Sequence, residues 1–253
     1  MFLILTPRQI LDIASYAGEI ILTNGGEIYR TEDTISRICR TYGIKYVQSL
    51  VTPTGIFISI DNGQDSETIV RRIHNRNVNL TRISQVNEFS RALQTELLDY
   101  STAMEELNQI SKYERNYNKY LITFIVAMGS SMNVLLMRQN LINIIPVLIA
   151  SITAQMITKI GFLKDINFVP EIVAGFITGT IAIISFNNGL GTHLSTIIVS
   201  SLLPFVPGVS ITNAIRDAIN GDLMSANSRG VEAALIAISL ATGVAGALGV
   251  FMR

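Results

Sequence analysis

Apolar positions recur at helical spacing from the start of the chain. Ile10, Ile13, Ala14, Ala17, Ile20 and Ile21 fall three or four apart and predict an amphipathic helix to about Leu22. Thr6 offers an N-cap, Pro7 suits the first turn, and Asn24-Gly25-Gly26 ends the pattern. A second helix is expected over residues 27–42, with Ile28, Ile35, Ile38 and Cys39 facing inward and Gly43 closing it. Residues 47–50 and 56–60 are β-branched and read as two strands joined by Thr52-Pro53-Thr54-Gly55. Asp61-Asn62-Gly63 marks a turn. Residues 67–75 predict a further helix and residues 79–83 a short strand. Val86, Phe89, Leu93 and Leu97 begin a long helix that continues through Leu107 to Tyr113. Together these elements predict an α/β domain of roughly 110 residues, large enough for its own core.

The pattern changes near residue 120. Five apolar segments follow, over 120–137, 141–158, 170–186, 193–206 and 230–251. Crossing about 30 Å of hydrocarbon takes about 20 helical residues. The second segment contains Pro146, and the fourth is short and ends at Pro204, as a broken or tilted helix would. Gly175 and Gly179 in the third segment, and Gly243, Gly246 and Gly249 in the fifth, allow helices to approach closely in lipid. The expected architecture is an α/β N-terminal cytoplasmic domain over residues 1–115. An all-α polytopic membrane domain over 116–253 follows, with about five transmembrane helices, one broken at Pro204 and Pro207-Gly208.

Charge sharpens this division. Residues 1–119 hold 13 Lys/Arg and 14 Asp/Glu, whereas residues 120–253 hold 6 and 5. The formal net charge is zero, which gives no electrostatic reason for a nucleic-acid partner. The single cysteine, Cys39, excludes an intrachain disulfide and suits a cytoplasmic first domain. Met1-Phe2-Leu3-Ile4-Leu5 lacks a basic leader and is too short for a signal peptide. With the N-domain inside, Arg115, Lys119, Lys159, Lys164, Arg216 and Arg229 all fall on the cytoplasmic side, leaving Arg138 and Arg253 outside. An odd number of spans means that a sister half of the same fold would be inverted in the membrane, a recurring plan among secondary transporters.

The stretch from Leu203 to Asp222 carries the candidate chemistry. Its apolar run is interrupted by Pro204, Pro207 and Gly208, and Asn213, Arg216, Asp217 and Asn220 then share one side of a short helix. A plain kink beside a loop is the lesser reading of the break, and a half-helix whose first N–H groups, near Ser210 to Asn213, face a substrate carboxylate is the preferred one. Arg216 reads as a positive-inside anchor or as a bidentate carboxylate ligand. Asp217, Asp222 and Glu232 read as solvated loop charges, or as coupling or gating groups in the case of Asp222 and Glu232, since Glu232 lies in the start of the last apolar segment. His74 and His193 are the only histidines and fall in different domains, so no metal site is expected. Gly189-Leu190-Gly191 is too little for a nucleotide loop, so neither a cofactor nor ATP-driven transport is expected.

Several motifs then match one family in order. They are Gly25-Gly26-Glu27-Ile28-Tyr29-Arg30-Thr31-Glu32-Asp33-Thr34-Ile35, Pro53-Thr54-Gly55-Ile56, Asn79-Leu80, Pro207-Gly208, Thr212-Asn213-Ala214-Ile215-Arg216-Asp217 and Gly221-Asp222. Over nearly the whole chain these resemble the ThrE threonine/serine exporter family. The resemblance implies a cytoplasmic N-domain followed by a membrane domain in the cell inner membrane. It implies two five-span halves, fused in some members. This chain resembles the split, YjjP-like form, whose partner is a separate small YjjB-like five-span membrane subunit. It further implies threonine or serine as substrate for fused members and succinate, a dicarboxylate, for the split pair. On that basis Pro207, Gly208, Thr212, Asn213, Arg216 and Asp217 are expected to bind substrate. Gly26, Glu27, Tyr29, Arg30, Asp33, Pro53, Thr54 and Gly55 form an N-domain motif. From the residues alone, Gly25 to Tyr29 read as a helix boundary or as a loop that senses substrate, and Thr52 to Gly55 as a tight turn.

The expected function is thus a gradient-driven exporter subunit for small polar metabolites, embedded in a lipid bilayer, with a homo-oligomer also open, and not an enzyme. A membrane-anchored hydrolase is the alternative, with Thr54, Asp61 and His74 as its only candidates and no nucleophile–base spacing among them. A regulatory or scaffold subunit is the third reading. The basic-residue asymmetry yields the first prediction. A reporter fused after Arg253 is expected to be active only outside the cytoplasm, and cytoplasmic activity alone overturns that orientation.

Overall fold

The computed structural model describes residues 5–61, 66–74, 77–114, 117–160 and 166–252. The predicted turn at Asn62-Gly63 and the topological residues Arg115, Lys164 and Arg253 lie outside the described residues, as do Met1 to Ile4 and Asn75. Two compact units form. One joins residues 1–115 with Val209–Gly230, and the other joins 116–208 with 231–253. The segment 209–230, assigned to the membrane domain from sequence, therefore packs with the N-terminal residues.

In the first unit, α1 (Pro7–Thr23) starts with a capping box between Thr6 and Gln9. Helix α2 (Ile28–Thr41) follows, and both turn their isoleucines into one core with Val51, Ile56, Ile58, Phe89 and Leu107. Three antiparallel strands, β1 (Tyr46–Thr52), β2 (Gly55–Asp61) and β3 (Ser66–Arg72), form a meander in the order β1-β2-β3. Pro53 and Thr54 make the two-residue link, with Thr52 opposite Gly55. Alternation along β2 buries Ile56, Ile58 and Ile60 under the helices and leaves Phe57 exposed.

Three sequence expectations are corrected here. Residues 67–75, read as a helix, begin instead as β3, because Thr68-Ile69-Val70 pairs along β2 and buries only Ile69. The strand expected over 79–83 is the start of α3 (Leu80–Ala92), where Asn79 caps the helix by accepting from Arg82 N at 3.2 Å. The long helix to Tyr113 is two helices, since Asp99 accepts from Ser101 N and Thr102 N and starts α4 (Tyr100–Lys112) afresh. Hydrogen bonds donated by the Ser101 and Thr102 hydroxyls, with a smaller contribution from those two amides, hold the Asp99 carboxyl down to about 2.

The second unit is helical. It contains α5 (Lys119–Leu136), α6 (Ile144–Ile157), α7 (Val169–Asn187) and α8 (Leu194–Leu202). It also takes the larger part of α10 (Leu223–Phe251), whose first residues, with α9 (Gly208–Ile219), lie in or at the edge of the first unit. Among the described residues three helices, α5, α7 and α10, are long and apolar enough to cross a membrane, and a fourth span exists only if α8 and α9 count as one broken span. The expected five spans thus become three or four. Helix α6 has 14 residues and reaches only about 21 Å, which is short of the hydrocarbon thickness. The break expected at Pro204 and Pro207 is present: Leu203–Phe205 forms a 3-10 turn, Val206 is extended, and α9 begins at Gly208.

Helices in this unit meet through small and polar residues. Cβ atoms added to Gly175 and Gly243 would collide with backbone carbonyls of Leu240 and Ile172, and one on Gly179 would lie 2.8 Å from Ala247 Cβ. A polar seam also runs between α5, α6 and α8. Asn133 donates to Ser200 at 3.2 Å, Ser201 Oγ to Val147 O at 3.4 Å, and Lys159, just past α6, to Thr123 at 3.0 Å. Asn143, fully buried, accepts from Thr192 N at 2.8 Å. Such small-residue crossings and side-chain bonds hold helices together where lipid offers no hydrophobic drive. Overpacking the α7–α10 crossing should be costly. Gly175→Val or Gly243→Val is expected to destabilise by about 1–3 kcal/mol, read as a lower melting temperature in detergent. Gly249→Val, with nothing within 4 Å of its added Cβ, is expected to be neutral.

Candidate functional site

The link from α1 to α2 is a tight corner. Gly25 has φ +89°, which favours glycine, and a Cβ on Gly26 would press on the Ile21 side chain and its carbonyl oxygen. Asn24 closes α1, donating from Nδ2 to Ile20 O at 2.7 Å, and Gly26 N donates to Ile21 O at 2.9 Å. The corner leaves the carbonyls of Gly25 and Gly26 and the N-terminus of α2 available to a neighbour. Glu27 stands at the N-cap of α2 and makes no side-chain cap bond.

Helix α9 and the start of α10 are that neighbour. Asn213 Nδ2 donates to Gly25 O at 3.0 Å, and Arg229 Nη2 donates to Gly26 O at 2.8 Å. Arg229 Nε lies 3.1 Å from Asp217 Oδ2, with the two side chains 7% and 1% exposed. The amide of Ile28, the first residue of α2, also interacts with the Asp217 carboxylate, so an acid from a distant helix sits where an N-cap carboxylate would. Glu27 pairs with Arg216 through one oxygen and with Arg30 Nε through the other at 3.0 Å. Arg216 remains half-exposed while Glu27 is nearly buried.

The hairpin between α9 and α10 has its own local cause. Gly221 has φ +88°, its N–H reaches Ala218 O at 3.1 Å, and Asp222 N reaches Asp217 O at 2.9 Å, which is a Schellman ending. Asp222 then caps α10 through Ser225 N at 3.0 Å and Ser225 Oγ at 2.6 Å. Helix α9 turns two of its polar residues inward. Asn213 and Asp217 are buried, while Ile211, Ile215 and Ile219 are exposed. Nearby, Glu32 Oε1 accepts from Val51 N at 3.0 Å. Burial raises the Glu32 carboxyl above its ordinary range against the pull of that bond, and Asp222 raises it further.

The structure therefore brings Gly26, Glu27, Arg30, Asn213, Arg216 and Asp217 into one cluster, with Asp222 beside it. The other expected residues lie elsewhere. Tyr29 is exposed, and Asp33 is bound to Arg37 on the surface. Pro53, Thr54 and Gly55 form the hairpin link, and Thr212 is exposed with Oγ1 directed at Val209 O at 3.4 Å. Pro207 and Gly208 stay at the break, and Glu232 is half-buried in the second unit. Arg229 is the member that sequence reasoning misses, since the positive-inside rule makes it only an orienting charge. Its signal was positional: Asn213 and Arg229 stand eight residues either side of Gly221, so a helical hairpin there places them at one level. As chemistry, the cluster offers guanidinium and carboxylate groups side by side, able to exchange partners or to meet a small ion of either sign.

The sequence model of ThrE, described as "Putative threonine/serine exporter", matches residues 12–251, nearly the whole chain. No curated protein and no solved structure matches the chain.

Unequal burial predicts unequal mutational costs. Arg229→Ala leaves Asp217 charged, buried and unpaired, and is expected to cost about 3–5 kcal/mol. Arg216→Ala breaks a half-exposed pair and leaves Arg30 on Glu27, so it is expected to cost no more than about 1 kcal/mol. Thermal unfolding of the two purified variants checks the contrast, and equal losses overturn it.

Proposed function

We propose that this chain, which belongs to the ThrE threonine/serine exporter family, is a gradient-driven export subunit for small polar metabolites that carry a carboxylate. Family membership and the apolar helices support a membrane exporter of threonine/serine type. The finer reading rests on one observation: half-exposed Arg216 stands against nearly buried Glu27 at the foot of α9. An amino acid carries a carboxylate and an ammonium together. The carboxylate suits the planar fork of Arg216 and the ammonium suits Glu27. A dicarboxylate such as succinate meets only the first half of that pair, so the cluster favours threonine or serine.

Asn213 and Asp217 complete the proposed substrate contacts beside the break at Pro207-Gly208, and Thr212 flanks them. Asp222 and Glu232 are the proposed coupling or gating carboxylates, because Asp222 caps α10 and Glu232 lies within that helix where its apolar stretch begins. The proposed setting is the inner membrane with the N-terminal unit in the cytoplasm, and a YjjB-like five-span subunit completes the pathway. A gating role for the N-terminal unit is the second reading. It is favoured by the grip of Gly25, Gly26 and Glu27 on α9 and on the first turns of α10, a helix continuous to Phe251.

Counterflow in proteoliposomes, with and without the partner subunit, tests the proposal using labelled threonine, serine and succinate. Saturable counterflow of an amino acid is the expected result, and none of any of the three overturns it. Arg216→Lys keeps the charge but removes the fork. It is expected to weaken apparent affinity about tenfold, the equivalent of one charge-assisted hydrogen bond. Wild-type affinity and rate in both Arg216→Lys and Arg216→Ala remove Arg216 from the site.

A further inference from the structure

The two edges of the sheet differ. Along β1, the Val51 N–H points away from β2 and donates to Glu32 Oε1 at 3.0 Å, and α2 packs against the strand. That edge is closed by a side chain and a helix, a common protection for an edge strand. Along β3, Ile73 N donates to Thr54 O at 2.9 Å, toward β2. Strand alternation then turns Ile69 and Arg71 toward β2 and the backbone groups of Thr68, Val70 and Arg72 outward. Among the described residues no hydrogen bond reaches those outward groups. The edge carries no proline, lysine or bulge to blunt it.

We infer that the β3 edge joins two copies of this chain, paired antiparallel about Ile69 into one six-stranded sheet. The strand is complementary to itself in that register. All seven residues overlap, with Ser66 opposite Arg72, Glu67 opposite Arg71 and Thr68 opposite Val70 of the second copy. Outward groups meet outward groups, as an antiparallel ladder requires. Each Glu67, which has no ion-pair partner among the described residues, meets an Arg71. Arg71 uses Nη1 on Glu19 at 2.6 Å and Nε on Ser15 at 2.8 Å, and its remaining donors suit a second carboxylate. Sliding the pairing so that it centres on Thr68 or Val70 shortens the overlap and separates Glu67 from Arg71. On the opposite face, Val70 extends the exposed cross-strand row Leu50, Phe57, Val70 and lies diagonal to Val70 of the second copy. The pairing is independent of what the protein carries.

The test uses the full chain in detergent and in nanodiscs. Thr68→Cys with Val70→Cys is expected to give an oxidant-dependent covalent dimer, at least tenfold more than either single variant. Native Cys39 is buried and contributes no background. Val70→Pro removes one outward N–H and no bond to β2, so the dimer is expected to be lost while the melting temperature holds. Should that variant unfold, Val70→Lys replaces an exposed side chain and carries the same expectation. A monomer at micromolar concentration, a dimer that survives both variants without cross-linking, or a cross-link to a different protein each overturns the inference.

Discussion

The first unit depends on one corner. Gly25 and Gly26 turn the chain so sharply that α2 begins with open carbonyls before it and open amides within it. Polar backbone at a buried helix end must find partners. Here they come from about 190 to 200 residues away, as Asn213, Asp217 and Arg229. A side chain at Gly26 would collide with Ile21, and one at Gly25 would strain the backbone, so the corner tolerates neither. The position of α9 follows from this requirement. Its polar face turns inward because the groups needing partners are inside, and Ile211, Ile215 and Ile219 are left outside.

Much of this fold is readable from local pattern. The capping box at Thr6, the isoleucine periodicity of α1 and α2, and the hairpin at Pro53-Thr54 all have short-range causes. The misreadings share a different one. Ile69, Val70 and Ile73 satisfy a helical spacing as well as a strand, and only pairing with β2 decides between them. Asn79 is a helix cap that only its bond to Arg82 N reveals, and Asp99 starts a fresh helix within a run that hydrophobicity alone would have carried through. In the apolar half, composition marked the segments but not how they are wound, since the run 141–158 opens with a 3-10 turn before α6 and the run 193–206 closes with one after α8.

The candidate site was legible as two separate motifs, one near Gly26 and one near Asn213. Nothing local in either says that they meet. Periodicity reports which residues share a face of one element, whereas the pairing of Glu27 with Arg216 is a contact between elements distant in sequence. Arg229 shows the same gap from the other side. The positive-inside rule is a sufficient explanation of its charge and points to no partner, although Arg229 is among the most buried charges described.

That burial bears on why the pair is present at all. A buried ion pair adds little net stability, because desolvating both charges offsets most of their attraction. An apolar pair of similar volume would hold α9 and α10 to the corner at least as firmly. What the ions supply is exclusivity. Asp217 is tolerable only while Arg229 is beside it, and Arg229 only while Gly26 O accepts its hydrogen and the Asp217 carboxylate balances its charge. Partial separation strands a charge in a dry place, so intermediate positions are disfavoured more than either engaged or fully hydrated ones. The outer pair, Arg216 with Glu27, lacks this property because water already reaches Arg216. The cluster therefore combines an inner contact that resists gradual opening with an outer contact that can exchange partners at small cost.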